Sequence, residues 1–306
     1  MAKRKNKNNK NHGVLAVVIV ALISIGIYAA NRFDLLNEKT WQSFFDSETS
    51  SAESDLEVHF IDVGQGDCSR ILSEDKAILI DTGEKENGEL ICNYLAEHNV
   101  SDIDCFLLTH PHSDHMGAAS YIIDNMEVKQ IIIPKVSDDM TPTTKFYEKF
   151  LKSVQAKGLK ITAAKPGLKV DAGDGELEII SPVKDYKDLN NYSAAAILTH
   201  GSDKFLFTGD IEKKAEKDIL NEGYLEDIDV LKVAHHGSSS SSSRDFLEVV
   251  LPDYAVIMCD GHSYGHPHEE TMEMLTEYTD KIYRTDMDGT VVMKSSEQGI
   301  TVTTEK

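Results

Sequence analysis

The chain has 306 residues, 41% hydrophobic and 27% charged, which is enough apolar length for one large domain or two modest ones and excludes a mostly disordered polypeptide. Its formal net charge of −21 tells against tight, non-specific binding of nucleic acid, because such a surface repels a polyanion at long range. The four cysteines, Cys68, Cys92, Cys105 and Cys259, form no CxxC pair and are expected to be buried thiols.

Residues 1–13 carry five basic side chains and no acidic one. Residues 14–30 are apolar apart from Ser24 and Tyr28. A bilayer span needs about 20 apolar residues, with a lower limit near 17. The segment is therefore expected to be a single transmembrane anchor, with the basic tail in the cytoplasm and all that follows outside the cell. A cleaved signal peptide, giving a secreted domain, is the alternative. Its small-residue cleavage site is poor, since Tyr28 or Ile27 would stand at the third position back. Residues 31–55 are polar and acidic and read as a linker. The domain is expected over residues 56–306, and the chain beyond residue 13 carries 52 acidic residues against 26 basic ones.

Within that domain "LEVHFIDVG" alternates and turns at Gly64, and "CSRIL" and "KAILID" supply the next two strands. "GELICNYLAEHN" has helical spacing. "DCFLLT" is a short apolar strand that runs into "HPHSDHMG". "MGAASYIIDNM" is helical, "KQIIIP" is a strand, and "TTKFYEKFLKSVQAKG" is an amphipathic helix ending at Gly158. Five strand candidates follow in a row: "KITAA", "LKVDAG", "GELEIISP", "AAAILTHG" and "DKFLFTGD". "IEKKAEKDILNEG" is a helix, "IDVLKVAHHG" a strand, "RDFLEVVLP" a helix, "YAVIMCD" a strand and "HEETMEMLTEYT" a helix. "GTVVMKSS" and "GITVTTE" form a last hairpin. Residues 238–243, all serine, are expected to be a mobile, hydroxyl-rich loop. Many short strands with interleaved helices predict an α/β fold of two packed sheets with helices outside.

The chemistry concentrates at strand ends. His110 and His112 are two apart and share a side in an extended segment. A turn at Ser113 brings Asp114 and His115 nearby. Imidazole with carboxylate is a zinc or manganese donor set. Four such groups in six residues exceed what one catalytic zinc uses, and suit two ions about 3.5–4 Å apart. Asp210, closing "KFLFTGD", is the candidate bridging carboxylate, with an N-cap for the following helix as its alternative role. One of His235 and His236 in "LKVAHHGS" would complete the second ion. Asp81 in "ILIDTG" is placed to orient a ligand histidine.

The string "HPHSDH" matches the HxHxDH signature of the metallo-β-lactamase superfamily. In order, "HFIDVGQGDCSRIL", "ILIDTG", "LLTHPHSDHMGA", "NNYSAAAIL", "FLFTGDIE", "DVLKVAHHGS", "YGHP" and "YRTDMDGTV" resemble the soluble carboxy-terminal domain of ComEC-type competence proteins. They are also similar to the cell-surface phosphorylcholine esterases of the same branch. The resemblance spans about residues 56–300. It implies an αββα sandwich with a two-metal site held by His110, His112, Asp114, His115, Asp210 and His236, with His235 close behind. Zinc is the expected metal and manganese the alternative. The usual third-motif histidine has no counterpart: Asn191 and Ser193 lie at that place and are expected to support the ligands. Asp114, His235 and His266 are the candidate catalytic groups, with His266 binding a phosphate oxygen or protonating the leaving group. ComEC proteins carry a large multi-span channel before this domain. Here one short span is expected, so DNA transport is not. The expected activity is metal-assisted hydrolysis of a phosphodiester, in nucleic acid or in a polymer bearing choline phosphate. A membrane-anchored phosphodiesterase or nuclease is the first expectation. A phosphorylcholine esterase is the second, and an idle, metal-stabilised surface module the third.

Overall fold

The computed structural model describes residues 56–306, so the basic tail, the apolar anchor and the acidic linker expected before them lie outside the described residues. In chain order the strands are β1 (Leu56–Phe60), β2 (Ser69–Ser73), β3 (Lys76–Ile80), β4 (Asp102–Ile103), β5 (Cys105–Leu107), β6 (Glu127–Val128), β7 (Ile131–Pro134), β8 (Ile161–Ala164) and β9 (Lys169–Ala172). They continue with β10 (Gly175–Ile179), β11 (Ala196–His200), β12 (Asp203–Phe207), β13 (Val230–Lys232), β14 (Tyr254–Ile257), β15 (Ile282–Arg284), β16 (Val291–Ser296) and β17 (Gly299–Thr304). The helices that matter below are α1 (Gly88–Glu97), α2 (Ser113–Met116), α3 (Ala119–Asn125), α4 (Lys145–Lys157), α5 (Lys213–Glu222), α6 (Arg244–Val250) and α7 (Glu269–Thr276).

Two mixed sheets result, in the orders β17-β16-β1-β2-β3-β5-β7-β8 and β15-β14-β13-β12-β11-β10-β9. Side chains that alternate along a strand must bury one face each way, and here both faces of both sheets are covered. Val58, Phe60, Ile71, Leu107, Leu177, Phe205 and Met293 fill the layer between the sheets. Ile91 and Leu95 of α1, Ile122 of α3 and Phe150 of α4 cover the outer face of the first sheet. Ala215 and Ile219 of α5, Phe246 of α6 and Leu275 of α7 cover the second. Each buried Leu, Ile or Phe contributes about 1.5–3 kcal/mol, so the central layers set the stability of the sandwich.

The expected two-sheet α/β architecture is what the chain adopts, with the expected thiols free: Cys68, Cys105 and Cys259 are buried and Cys92 is partly so. Residues 238–243 depart from expectation. Instead of forming a loose loop they are strapped to the second sheet's helical layer. Ser241 Oγ donates to the Ile211 carbonyl at 2.7 Å, and the Ser243 amide donates to Glu216 Oε2 at 2.9 Å. A buried glutamate on α5 thus takes up amide donors that a serine-rich stretch would otherwise leave unpaired. No helix of the described residues is long and apolar enough to cross a membrane.

Candidate metal centre

Parallel pairing puts the carboxyl ends of several strands on one rim. β3, β5, β7 and β8 run parallel in the first sheet, and β12, β13, β14 and β15 in the second. In open α/β sheets that end is where ligands bind, because the chain leaves each strand there through a loop free to carry polar groups. Asp81 follows β3, His110 follows β5, Asp210 follows β12, and His235 and His236 follow β13. The rims interlock directly, since the Ala194 amide donates to the Thr109 carbonyl at 2.8 Å. Gly209 makes the approach possible: a Cβ there would stand 2.9 Å from the Cβ atoms of both Ser193 and Thr109. Asp81, His235 and His236 hold positive φ of 59°, 52° and 54°. Left-handed backbone at such residues costs about 1–3 kcal/mol each and persists only where its surroundings enforce it.

Asp114, His115, Asp210 and His236 each offer a ligand atom, and these atoms all lie within 4.8 Å of one another. His115 Nε2 is 3.2 Å from Asp210 Oδ1, and His236 Nε2 is 3.3 Å from Asp114 Oδ2 and 3.7 Å from Asp210 Oδ2. His110 and His112 stand beside this group, with His110 Nε2 3.0 Å from His112 Nδ1 and 3.9 Å from Asp210 Oδ2. His235 Nε2 approaches the same Asp210 oxygen at 3.8 Å. One buried carboxylate therefore faces four imidazoles. His115 Nε2 and Asp210 Oδ1 are buried with no hydrogen-bond partner. Buried polar atoms left so are rare and costly, about 1–3 kcal/mol each, and a cation between them removes that cost. The donor set of Asp114, His115, Asp210 and His236 fits zinc or manganese, and His110 and His112 beside it are donors that a second, neighbouring ion would use.

The supporting contacts fix which nitrogen is presented. His115 Nδ1 donates to Asp81 Oδ2 at 2.8 Å, so its Nε2 faces Asp210. Asp81 is itself held by the amide and hydroxyl of Thr109, at 2.7 and 2.6 Å. His236 Nδ1 donates to the Met258 carbonyl at 2.9 Å, which turns its Nε2 toward Asp114 and Asp210. Ser193 Oγ meets His110 Nδ1 at 3.2 Å and accepts the Asp210 amide at 3.0 Å. Such outer contacts typically hold about 10–100-fold in metal affinity.

Burial opposes charge throughout this rim, and the neighbours decide the outcome. Burial, then the cationic potential of His115, pushes His110 well below the usual imidazole range. Burial would also raise the Asp210 carboxyl, yet His115 and His236 more than reverse this and hold it well below the carboxylate range. Burial works against a charged His236, but Asp210, Asp114 and Asp67 carry it up to about 9. The Asp81 carboxyl is raised, by burial first, against the pull of His115. Burial, followed by the neighbouring His236 and His235, lowers His266 to about 4, so it is a neutral imidazole near pH 7.

The structure brings together most of the residues singled out in the sequence. The N-cap alternative for Asp210 fails: α5 starts at Lys213 with Glu212 as its N-cap, and the Asp210 carboxylate faces the histidines. Asn191 is a correction. Its Oδ1 accepts the amides of Glu212 and Ala215 at 3.2 and 3.0 Å, so it anchors the start of α5 rather than a metal ligand. His266 lines the cleft above the rim, with its ring centroid 5.5 Å from that of His235. Two residues escaped the sequence reading. Asp67 Oδ1 is 3.4 Å from His236 Nδ1 and its Oδ2 is 3.8 Å from His115 Nδ1. Lys232, buried in β13, pairs with Asp67 and donates to the Gly209 carbonyl at 3.2 Å. The signal for Lys232 was present, a lone cation inside an otherwise apolar strand.

Comparison with known proteins agrees with this geometry. Residues 61–262 match the family model described as the metallo-beta-lactamase superfamily. The chain is 31% identical over 260 residues to ComE operon protein 3 of Bacillus subtilis (strain 168), covering 78% of this chain and 33% of that one. It is 31% identical over 267 residues to Recombination protein 2 of Haemophilus influenzae, covering 85% of this chain and 29% of that one. The chain therefore spans about a third of the length of these relatives. Among solved structures, CmlA, a diiron beta-hydroxylase from Streptomyces venezuelae, superposes with a TM-score of 0.51 at 12% identity, over 76% of this chain and 53% of that one. At that identity the likeness concerns the fold alone. A family model covering most of the described domain, the HxHxDH rim and the competence-protein relatives lead to one conclusion: the chain belongs to the metallo-β-lactamase superfamily, in the branch of the ComEC-type competence proteins.

Proposed function

We propose that the chain is a two-metal phosphodiesterase, held at the membrane by residues 14–30 with its domain outside the cell. The observation that supports this most is the position of Asp210, one buried carboxylate within 4 Å of His110, His115, His235 and His236, so that it can serve both halves of the centre. In this reading His110, His112 and Asp210 hold one ion, and Asp114, His115, Asp210 and His236 hold the other, with zinc the expected metal. When bound, such a pair lowers the pKa of water toward neutrality and draws charge from the substrate's oxygens. The chain's own groups do the rest. Asp81, Ser193 and the Met258 carbonyl keep the ligand imidazoles oriented. Ser193 stands where an imidazole is usual, so an ion at His110 and His112 would have one protein ligand fewer and a position for water or a phosphoryl oxygen. His235 and His266 line the cleft together with His112, Asp114 and Asp210, placed to receive the phosphoryl group. The relatives' names, recombination and competence, favour nucleic acid as the source of the phosphodiester.

A second reading, a phosphorylcholine-type esterase, is favoured by the acidic charge of the chain. Purified chain loaded with zinc or manganese distinguishes the two when offered bis-p-nitrophenyl phosphate, p-nitrophenylphosphorylcholine, single-stranded DNA and a β-lactam. The proposal expects turnover of the first and of DNA. Choline-ester cleavage without DNA cleavage gives the second reading precedence, and turnover of the β-lactam alone overturns both.

A further inference from the structure

We propose that the cleft above the metal centre takes one compact phosphodiester carrying a flat apolar group, and does not track a polyanionic backbone. This rests on the phosphodiesterase reading and narrows its substrate class. The cleft has a volume of about 750 Å³, and among the described residues its lining contains no lysine or arginine. Lys145 lies between the lining residues Thr144 and Phe146 in sequence but is exposed and outside the wall. Proteins that follow a nucleic-acid strand do so with rows of such cations, each phosphate contact releasing a counterion.

The lining offers neutral partners instead. Both ends of the Gln65 amide, Oδ1 of Asn190 and Nδ1 of His266 are buried without a hydrogen-bond partner, and all three residues face this one cleft. The Gln65 NH₂, and His266 where its Nδ1 carries the proton, are donors for phosphoryl oxygens, while the amide oxygens of Gln65 and Asn190 accept from donors on the substituents. Gln65 is placed rigidly. Its loop lies against α2, where a Cβ on Gly66 would stand 2.3 Å from the Asp114 carbonyl, and the Asp67 amide donates to that same oxygen at 3.1 Å. Gln65 lines the cleft together with Asp114, and its unpaired NH₂ is a donor available to a phosphoryl oxygen there.

Apolar surface completes the wall. Phe146 in the first turn of α4 and Leu189 line the cleft, and Tyr264 stands at its rim, 80% exposed. Tyr264 is held there by a constrained turn, with φ of 59°, and Asp260 Oδ1 accepts the amides of His262 and Ser263 at 2.8 and 2.7 Å. A large aromatic ring kept in water on a strained turn beside His266 is a platform for a flat group such as a nucleobase or an aryl ester.

The test uses the full chain in detergent, loaded with zinc, and reads binding by calorimetry. The probes are the slowly cleaved diester mimic monobenzyl phenylphosphonate and a cleavage-resistant 2′-O-methyl oligonucleotide of about ten residues. The mimic is expected to bind with an affinity that changes less than about twofold between about 50 and about 200 mM salt, and the oligonucleotide is expected to bind no tighter. Gln65→Ala and Tyr264→Ala are each expected to weaken the mimic about tenfold with metal content unchanged. The proposal is overturned by an oligonucleotide that binds tenfold tighter or more with a steep loss in salt, by a mimic that does not bind, or by variants that bind it as well as the parent does. If the mimic binds as expected while bis-p-nitrophenyl phosphate is left intact, this inference stands and the phosphodiesterase reading falls.

Discussion

Replacing Lys232 with methionine isolates the buried charge pair under the metal centre. The Lys232 side chain is 2% exposed, and its ammonium pairs with Asp67 and donates to the Gly209 carbonyl. Methionine keeps the length of the stem, so the cavity term is small and the cost is electrostatic. Leaving one member of a buried pair uncompensated costs about 3–5 kcal/mol. Asp67 retains His236 and His115 as partial partners at 3.4 and 3.8 Å. The expected loss for Lys232→Met is therefore at the lower end, about 3 kcal/mol, or about 1 M in the urea midpoint for a domain with an m-value near 3 kcal/mol/M. Zinc affinity is expected to fall about 10–100-fold, because Asp67 touches two ligand imidazoles and its own position slackens. Adding Asp67→Leu should recover most of the stability without the affinity, as both buried charges are then gone. A Lys232→Met variant within about 0.5 kcal/mol of the parent, with unchanged zinc affinity, would refute the reasoning.

Three further outcomes are expected. Asp210→Ala removes the carboxylate common to both halves of the centre, and is expected to cut turnover of bis-p-nitrophenyl phosphate at least about 10³-fold with loss of bound metal, measured by kinetics and elemental analysis. Gly66→Ala places a Cβ 2.3 Å from the Asp114 carbonyl at a φ of +130°, and is expected to cost about 2–5 kcal/mol in urea unfolding and to weaken metal binding by displacing Asp114. His59, remote from the metal centre, is held down to about 4 by burial. The unfolded chain then binds more protons than the folded one between pH 6.5 and 4, so this stabilisation is full above about pH 6.5 and declines by up to about 3 kcal/mol as pH falls toward 4. Unfolding at pH 7.5, 5.5 and 4.5 should show that slope in the parent, and His59→Gln should flatten it.

Much of this was legible in the sequence because strand ends and chemistry coincide. The short apolar run "DCFLLT" had to be a buried strand, and what it delivers to the rim is His110. The same holds for Asp210 after β12 and for the histidine pair after β13. The layers were legible as well, since helical stripes such as Ile91 and Leu95 could only be buried against a sheet. What was not legible depends on contacts between distant segments. Asn191 looked like a ligand support because of its place in the chain, but only the path of α5 shows its amide capping that helix. Asp67 lies more than 160 residues from Lys232, and no spacing rule links them. The serine run reads as loose from composition alone, because the Glu216 carboxylate that fixes it belongs to another element.

Elemental analysis of the zinc-loaded, dialysed full chain, with a His110→Ala/His112→Ala variant in parallel, tests the central claim most directly. The account predicts about two ions per parent chain and about one in the variant, which keeps Asp114, His115, Asp210 and His236. A parent chain that retains one ion or none, or a variant that retains two, would contradict it.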